Sequence, residues 1–138
     1  MTEDVSKRFE AIEECYEFML AYAAKGLPSD EGSASGRQLR EFMNRAVEAL
    51  RGLGGSCATA AREEQGDRFA AFLAVLDRDA RDSLAAMELV LAQPTISSQL
   101  IDNLNASIHL RALLTDLFLV SEIVETQRAA RSQAALNS

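Results

Sequence analysis

Apolar residues recur at alternating steps of four and three through Val5, Phe9, Ile12, Tyr16, Met19 and Ala23, and Cys15, Phe18 and Tyr22 widen the stripe. That spacing predicts an amphipathic helix over about residues 4–25, ended by Gly26 and Pro28. Residues 26–36 are small, polar and glycine-rich, and read as a flexible, solvated linker. They lack the GxxxxGK[ST] spacing of a phosphate loop and lie between helices rather than after a strand. Ser35 and Gln38 form an S-x-x-Q capping box that predicts the start of a second helix there. Leu39, Met43, Ala46, Leu50 and Leu53 are its inner face, with Phe42 and Val47 beside them. Gly52, Gly54 and Gly55 break it, and residues 56–65 read equally as a short helix or an irregular turn. Asp67 is a suitable N-cap for a third long helix that turns Phe69, Phe72, Leu73, Leu76, Ala80, Leu84, Met87 and Leu91 inward. Its outer face pairs Asp77 with Arg81 and Arg78 with Asp82 at i,i+4, the pattern of a solvated surface.

Pro94 stops that helix and Thr95 caps the next, predicted as one continuous helix over residues 95–127. This last helix is apolar on too many sides. Ile101, Ile108, Ala112 and Leu119 form one arc, Leu100, Leu114 and Phe118 a second, and Leu110, Leu113, Leu117, Val120 and Val124 a third. A helix on the surface of a bundle needs one stripe, so this one is central or is half core and half docking surface. Two thin polar lines separate the arcs: Arg111, Thr115 and Glu122 on one, Asn105, His109 and Asp116 on the other. At about 1.5 Å per residue the first helix spans roughly 33 Å and the last nearly 50 Å. The last must therefore kink, overhang its neighbours or pair with another subunit, and overhang with self-association is the favoured reading. Residues 128–138 are small and polar and are expected to fray.

The pattern as a whole predicts an all-α fold, a single domain over residues 1–138, arranged as an antiparallel up-down-up-down four-helix bundle with a long C-terminal helix. Composition agrees: 48% of residues are hydrophobic and 25% charged, as in an ordinary globular protein. Charge narrows the function. A net charge of -7 with interleaved basic residues argues against nucleic acid, which needs a clustered basic face, and against an anionic membrane surface. Asp116 and Glu122 interrupt the most apolar stretch well short of the roughly 20 residues a membrane span requires. The acidic start Met1-Thr2-Glu3-Asp4 has no signal-peptide pattern. Cys15 and Cys57 form no CxxC pair and read as reduced thiols, placing the chain in the cytoplasm.

His109, the only histidine, is the first candidate for chemistry. A histidine phosphotransfer domain carries H-x-L-K-G. Here Leu110 falls one place early, Arg111 stands one place early for lysine, and no glycine follows. The better reading is a polar residue that sets helix register with Asn105 and Asp116. Glu10, Glu13, Glu14 and Glu17 cluster on the first helix, but a bundle di-iron site needs two E-x-x-H pairs, and Ala106 stands three places before His109. Two cysteines and one histidine cannot supply a structural zinc site. No G-x-S-x-G elbow or Cys-His pairing is present. Ser97, Ser98, Gln99, Asp102, Asn103, Asn105 and Ser107 make a polar stretch that either lines a small-ligand cleft, docks a partner, or is an exposed helix start.

The reading is therefore a non-catalytic interaction module (an adaptor, chaperone or regulatory subunit) that meets a protein partner, and a second copy of itself, through the C-terminal helix. Asn105, His109, Asp116, Asn103 and Arg111 are the candidate binding residues, with no catalytic residue, metal or cofactor. The alternative is a small-molecule sensor or carrier with its ligand between helices, and a histidine phosphotransfer-like role ranks below both.

Overall fold

The computed structural model describes residues 3–61 and 67–137. Among them the regular elements are six helices: α1 (Glu3–Ala24), α2 (Ala34–Leu50), α3 (Leu53–Ala61), α4 (Asp67–Leu91), α5 (Ser98–Ala106) and α6 (Ile108–Leu136). The protein is all-helical, as the periodicity requires. Residues 56–61 of the undecided stretch are helical in α3, and the rest of it lies outside the described residues.

The inner faces follow the sequence seams closely. Val5, Phe9, Ile12, Cys15, Met19 and Tyr22 are buried on α1, and Leu39, Met43, Ala46 and Leu50 on α2. On α4 the buried set is Leu73, Leu76, Ala80, Ser83, Met87 and Val90. α1 lies against α2 and α5, α2 against α4, and α4 against α3 and α6. Between α1 and α2 the rings of Phe18 and Phe42 stack with centroids 4.8 Å apart, and the Arg45 guanidinium covers Phe42 from 4.5 Å. Gly54 lets α3 approach α4, because a Cβ there would collide with the Asp77 side chain.

Two arginines close helix ends. The last carbonyls of a helix have no intrahelical donor, and a cation suits the negative end of its dipole. Arg8 donates through Nη1 to the carbonyls of Ala49 (3.1 Å) and Arg51 (2.6 Å) at the end of α2. Arg40 donates to the carbonyls of Leu91 (3.3 Å), Gln93 (3.2 Å) and Pro94 (3.4 Å) at the end of α4.

The linker is where the expectation needs its first correction. Residues 26–33 are pinned, not freely solvated. Asp30 is only 7% exposed. One of its carboxylate oxygens accepts from Arg40 Nε at 2.6 Å and the other from the Ile96 backbone N–H at 2.6 Å. Leu27 N–H donates to Ser98 Oγ (2.9 Å), and Ser98 N–H donates to the Leu27 carbonyl (2.8 Å). The cap of α2 is Ser33, which accepts from Gly36 N–H at 2.9 Å, not Ser35. Gly36 is required there, since a Cβ would run into the Asp30 carbonyl.

The second correction concerns the last helix. It is two helices, not one. Ile96 is fully buried outside any helix, so the start moves from Thr95 to Ser97, whose side chain accepts from Leu100 N–H. Ser107 then breaks the run with an extended backbone (φ −63°, ψ 143°). Small polar residues such as Asn105 and Ser107 compete for backbone hydrogen bonds and favour such breaks. α6 does overhang. Its last buried residue is Val124, yet the helix continues to Leu136. Residues expected to fray from 128 onward are thus helical through 136, with every side chain from 128 to 136 exposed.

Candidate functional site

α6 has an inner and an outer side with different chemistry. Inward, Leu110, Leu113, Leu114, Leu117, Val120 and Val124 join the core. Outward, Phe118 is 57% exposed, Leu119 44% and Ile123 42%. Leu119 and Ile123 flank a shallow depression on the outer side of the helix, with Glu122, Thr126 and Gln127. Of the three apolar arcs seen in the sequence, one is core, one is divided between core and surface, and Ile108 and Leu119 of the remaining arc face outward. The polar line of Arg111, Thr115 and Glu122 runs along the exposed side, where Thr115 Oγ1 donates to the Arg111 carbonyl at 3.0 Å.

The second polar line does not hold together. Asn105 ends up in α5 and His109 and Asp116 in α6, with the Ser107 break between them. Asn105 is buried, and neither its amide nitrogen nor its oxygen finds a partner among the described residues. Asn103 is exposed and accepts weakly from Gln99 (3.4 Å). His109 is exposed, with Nδ1 at 3.9 Å from an Asp82 carboxylate oxygen. Arg111 is exposed. Asp116 is buried, and its Oδ2 finds no partner among the described residues. Burial first, and then the neighbouring Asp79 on α4, push its carboxyl up to about 7.

Sequence reasoning missed Asp79 and Asp82, because they sit in the charge run 77–82, which reads as solvated throughout. The available signal was phase. Asp79 falls one step before the inward Ala80 and on the same side as Phe72, which packs partly against the core. Ser83 Oγ, on the buried side of α4, and Ser107 Oγ at the helix break are also buried without partners among the described residues.

A second concavity of about 420 Å³ lies between the α1–α2 connection and the start of α5, lined by Ala23, Leu27, Pro28, Ser97, Gln99 and Asp102 among others. Part of the polar stretch expected to line a cleft is therefore there, without Asn103, Asn105 or Ser107. The Ser98 hydroxyl in its wall is already committed, donating to the Tyr22 carbonyl (2.7 Å) and accepting from Leu27 N–H.

Thiol chemistry is poorly served. Burial pushes the Cys15 thiol up to about 12 and the Cys57 thiol up to about 11, so neither is a thiolate near neutral pH. Among the described residues no group of three or more histidine, cysteine, aspartate or glutamate side chains could hold a metal ion, and no helix is long and apolar enough to cross a membrane. No family model, curated protein or solved structure matches the chain.

Proposed function

We propose that the protein is a non-catalytic helical interaction module that docks through the outer side of α6, and that a second copy of the same chain is its first partner. The observation that carries this reading is the conjunction of exposed Phe118, Leu119 and Ile123 with a helix that runs on past its last buried residue, Val124, to Leu136. Those 12 further residues span about 18 Å. A helix draws most of its stability from packing, and a short unpacked one is marginal in water. A two-fold related α6 would cover the apolar patch and the extension together. The arrangement of the long helices α1, α2, α4 and α6 as an antiparallel up-down-up-down bundle belongs to the same proposal. It is supported by Arg8, near the start of α1, reaching the end of α2, and by His109 and Asp116 following α6 while Asp82 and Asp79 run back along α4.

Light scattering at micromolar concentration tests it. The expected species has twice the 15.0 kDa chain mass, and Leu119→Lys combined with Ile123→Lys should return it to one chain with unchanged helical circular dichroism. A wild-type protein that stays at 15.0 kDa would rule out the second copy.

The runner-up, a small-molecule sensor, is supported by the concavity at the start of α5. It ranks second because the polar groups of Ser98 and Ser97 there are already spent on backbone partners.

A further inference from the structure

α5 and α6 meet at a single residue. Ser107 has φ −63°, already a helical value, and only its ψ of 143° departs from the roughly −42° of an α-helix. No glycine or proline follows Pro94, so neither usual breaker enforces the turn. Side-chain bonds do not fasten it either. Ser107 caps α6 without a side-chain hydrogen bond, and its Oγ is buried with no partner among the described residues. The same is true of both amide atoms of the buried Asn105. The break also withdraws i→i−4 partners from the first N–H groups of α6 and the last carbonyls of α5. It divides the apolar pattern as well. Ile101 is fully buried on α5, whereas Ile108, which shares its stripe in a continuous helix, is 75% exposed.

The two helices are held by different neighbours, α5 mainly by α1 and α6 mainly by α4. Rotating the Ser107 ψ by about half a turn joins them into one helix from Ser98 to Leu136. That rotation carries α6 off the α4 of its own chain while α5 stays on α1. It uncovers Leu110, Leu113, Leu117, Val120 and Val124 on α6, together with the α4 face that they cover. The surface that fits each of these is the same surface on a second copy straightened in the same way. We propose that Ser107 is the hinge of an α6 exchange: in the two-chain form α5 and α6 of each chain run as one helix, and α6 packs on the α4 of the other chain. The proposal rests on the reading that a second copy is the first partner, and it says how that copy is held. Exchange is a low-cost route to a dimer because the core contacts of α6 are remade between chains, and a short connection invites it. What the dimer gains over two separate chains is the run of backbone hydrogen bonds across Ser107.

Light scattering and a distance measurement on the full chain test the exchange. Ile108 is the first residue of α6, where proline's missing N–H and fixed φ suit a helix start. The residue before a proline favours the extended ψ that Ser107 already has. Ile108→Pro therefore keeps the single-chain fold and forbids the continuous helix, and it should weaken dimerisation by about a hundredfold or more. Ser107→Ala removes no cap bond and favours the helix, so it should strengthen dimerisation about fivefold. Spin labels on Gln99→Cys and Thr126→Cys report the helix directly, the native thiols being buried. In dimers refolded with excess unlabelled chain the labels should lie about 40 Å apart, the length of roughly 27 helical residues, whereas the broken form brings them closer. That distance decides the matter even if Ile108→Pro does not fold. A wild type that stays at the one-chain mass overturns the exchange together with the second-copy reading. A dimer whose affinity ignores Ile108→Pro, or whose labels stay at the shorter distance, overturns the exchange alone and leaves docking through the outer side of α6 standing.

Discussion

The corner where α1, α2 and α5 meet and the seam where α4 meets α6 are both places where polar groups enter the core, and they resolve that problem in opposite ways. At the corner the polar atoms named find partners. Asp30 is satisfied by Arg40 and Ile96, Tyr22 donates its hydroxyl to the Ile96 carbonyl at 2.7 Å, and Ser98 both donates and accepts. At the seam the buried Asp116 sits beside Asp79 with its Oδ2 unpartnered, and the buried Ser83 Oγ of α4 likewise has no partner among the described residues. Burying a polar group costs little when it is bonded and several kcal/mol when it is not. The comparison teaches that the corner is built to stay fixed, whereas the seam holds α6 with little to spare.

The sharpest way to break the contrast is Asp30→Ala. It strands the Ile96 N–H and leaves Arg40 without its carboxylate, and removing one partner of a buried pair costs about 3 kcal/mol. Urea unfolding should show that loss. Replacing residues 29–35 by a glycine-serine segment should cost at least as much, since it removes both Asp30 and the Ser33 cap. Acid should act at the same place. Arg40, outweighing the effect of burial, holds the Asp30 carboxyl below its ordinary value. Its contribution is thus present above about 4 and disappears as pH falls through the lowered value, so Asp30→Ala should show less acid sensitivity than the wild type.

Tyr22→Phe comes next. It leaves a buried Ile96 carbonyl short of a donor, at a cost of about 1.5 kcal/mol in the unfolding midpoint. At the seam the sign should reverse. Asp116→Leu should raise stability at pH 8 by about 1 kcal/mol, because an apolar side chain replaces a buried acid facing another acid. The same substitution tested at pH 5 should gain less. Arg81→Ala, which removes only the exposed pair with Asp77, should stay within about 0.5 kcal/mol of wild type by thermal unfolding.

Much of the architecture was legible, because helix burial repeats with a short period that a single sequence displays. The inner faces of α1, α2 and α4 followed directly from it. What escaped depends on partners distant in the chain. Nothing in residues 26–36 announces that Asp30 will receive the N–H of a residue 66 positions on. The Ser107 break is a local contest between side chain and backbone, and it split the polar line of Asn105, His109 and Asp116. Of that line Asn105 and Asp116 are buried and His109 lies on the surface, as do the other candidate residues Asn103 and Arg111. The excess apolar character of the last helix was legible, and it reappears as the outward Phe118, Leu119 and Ile123.

The corner also fixes an order of assembly. Its bonds join residues 66, 74 and 76 positions apart: Asp30 to Ile96, Tyr22 to Ile96, and Ser98 to Tyr22. Helices α1 and α2 are neighbours in sequence and can associate early, but contacts of such long separation must wait until a large loop closes. During synthesis the connection between α1 and α2 therefore has only its local bonds, Asp30 to Arg40 and Ser33 to Gly36, until the chain has been made past Ser98. The part of the molecule that ends most firmly fixed is among the last to be completed.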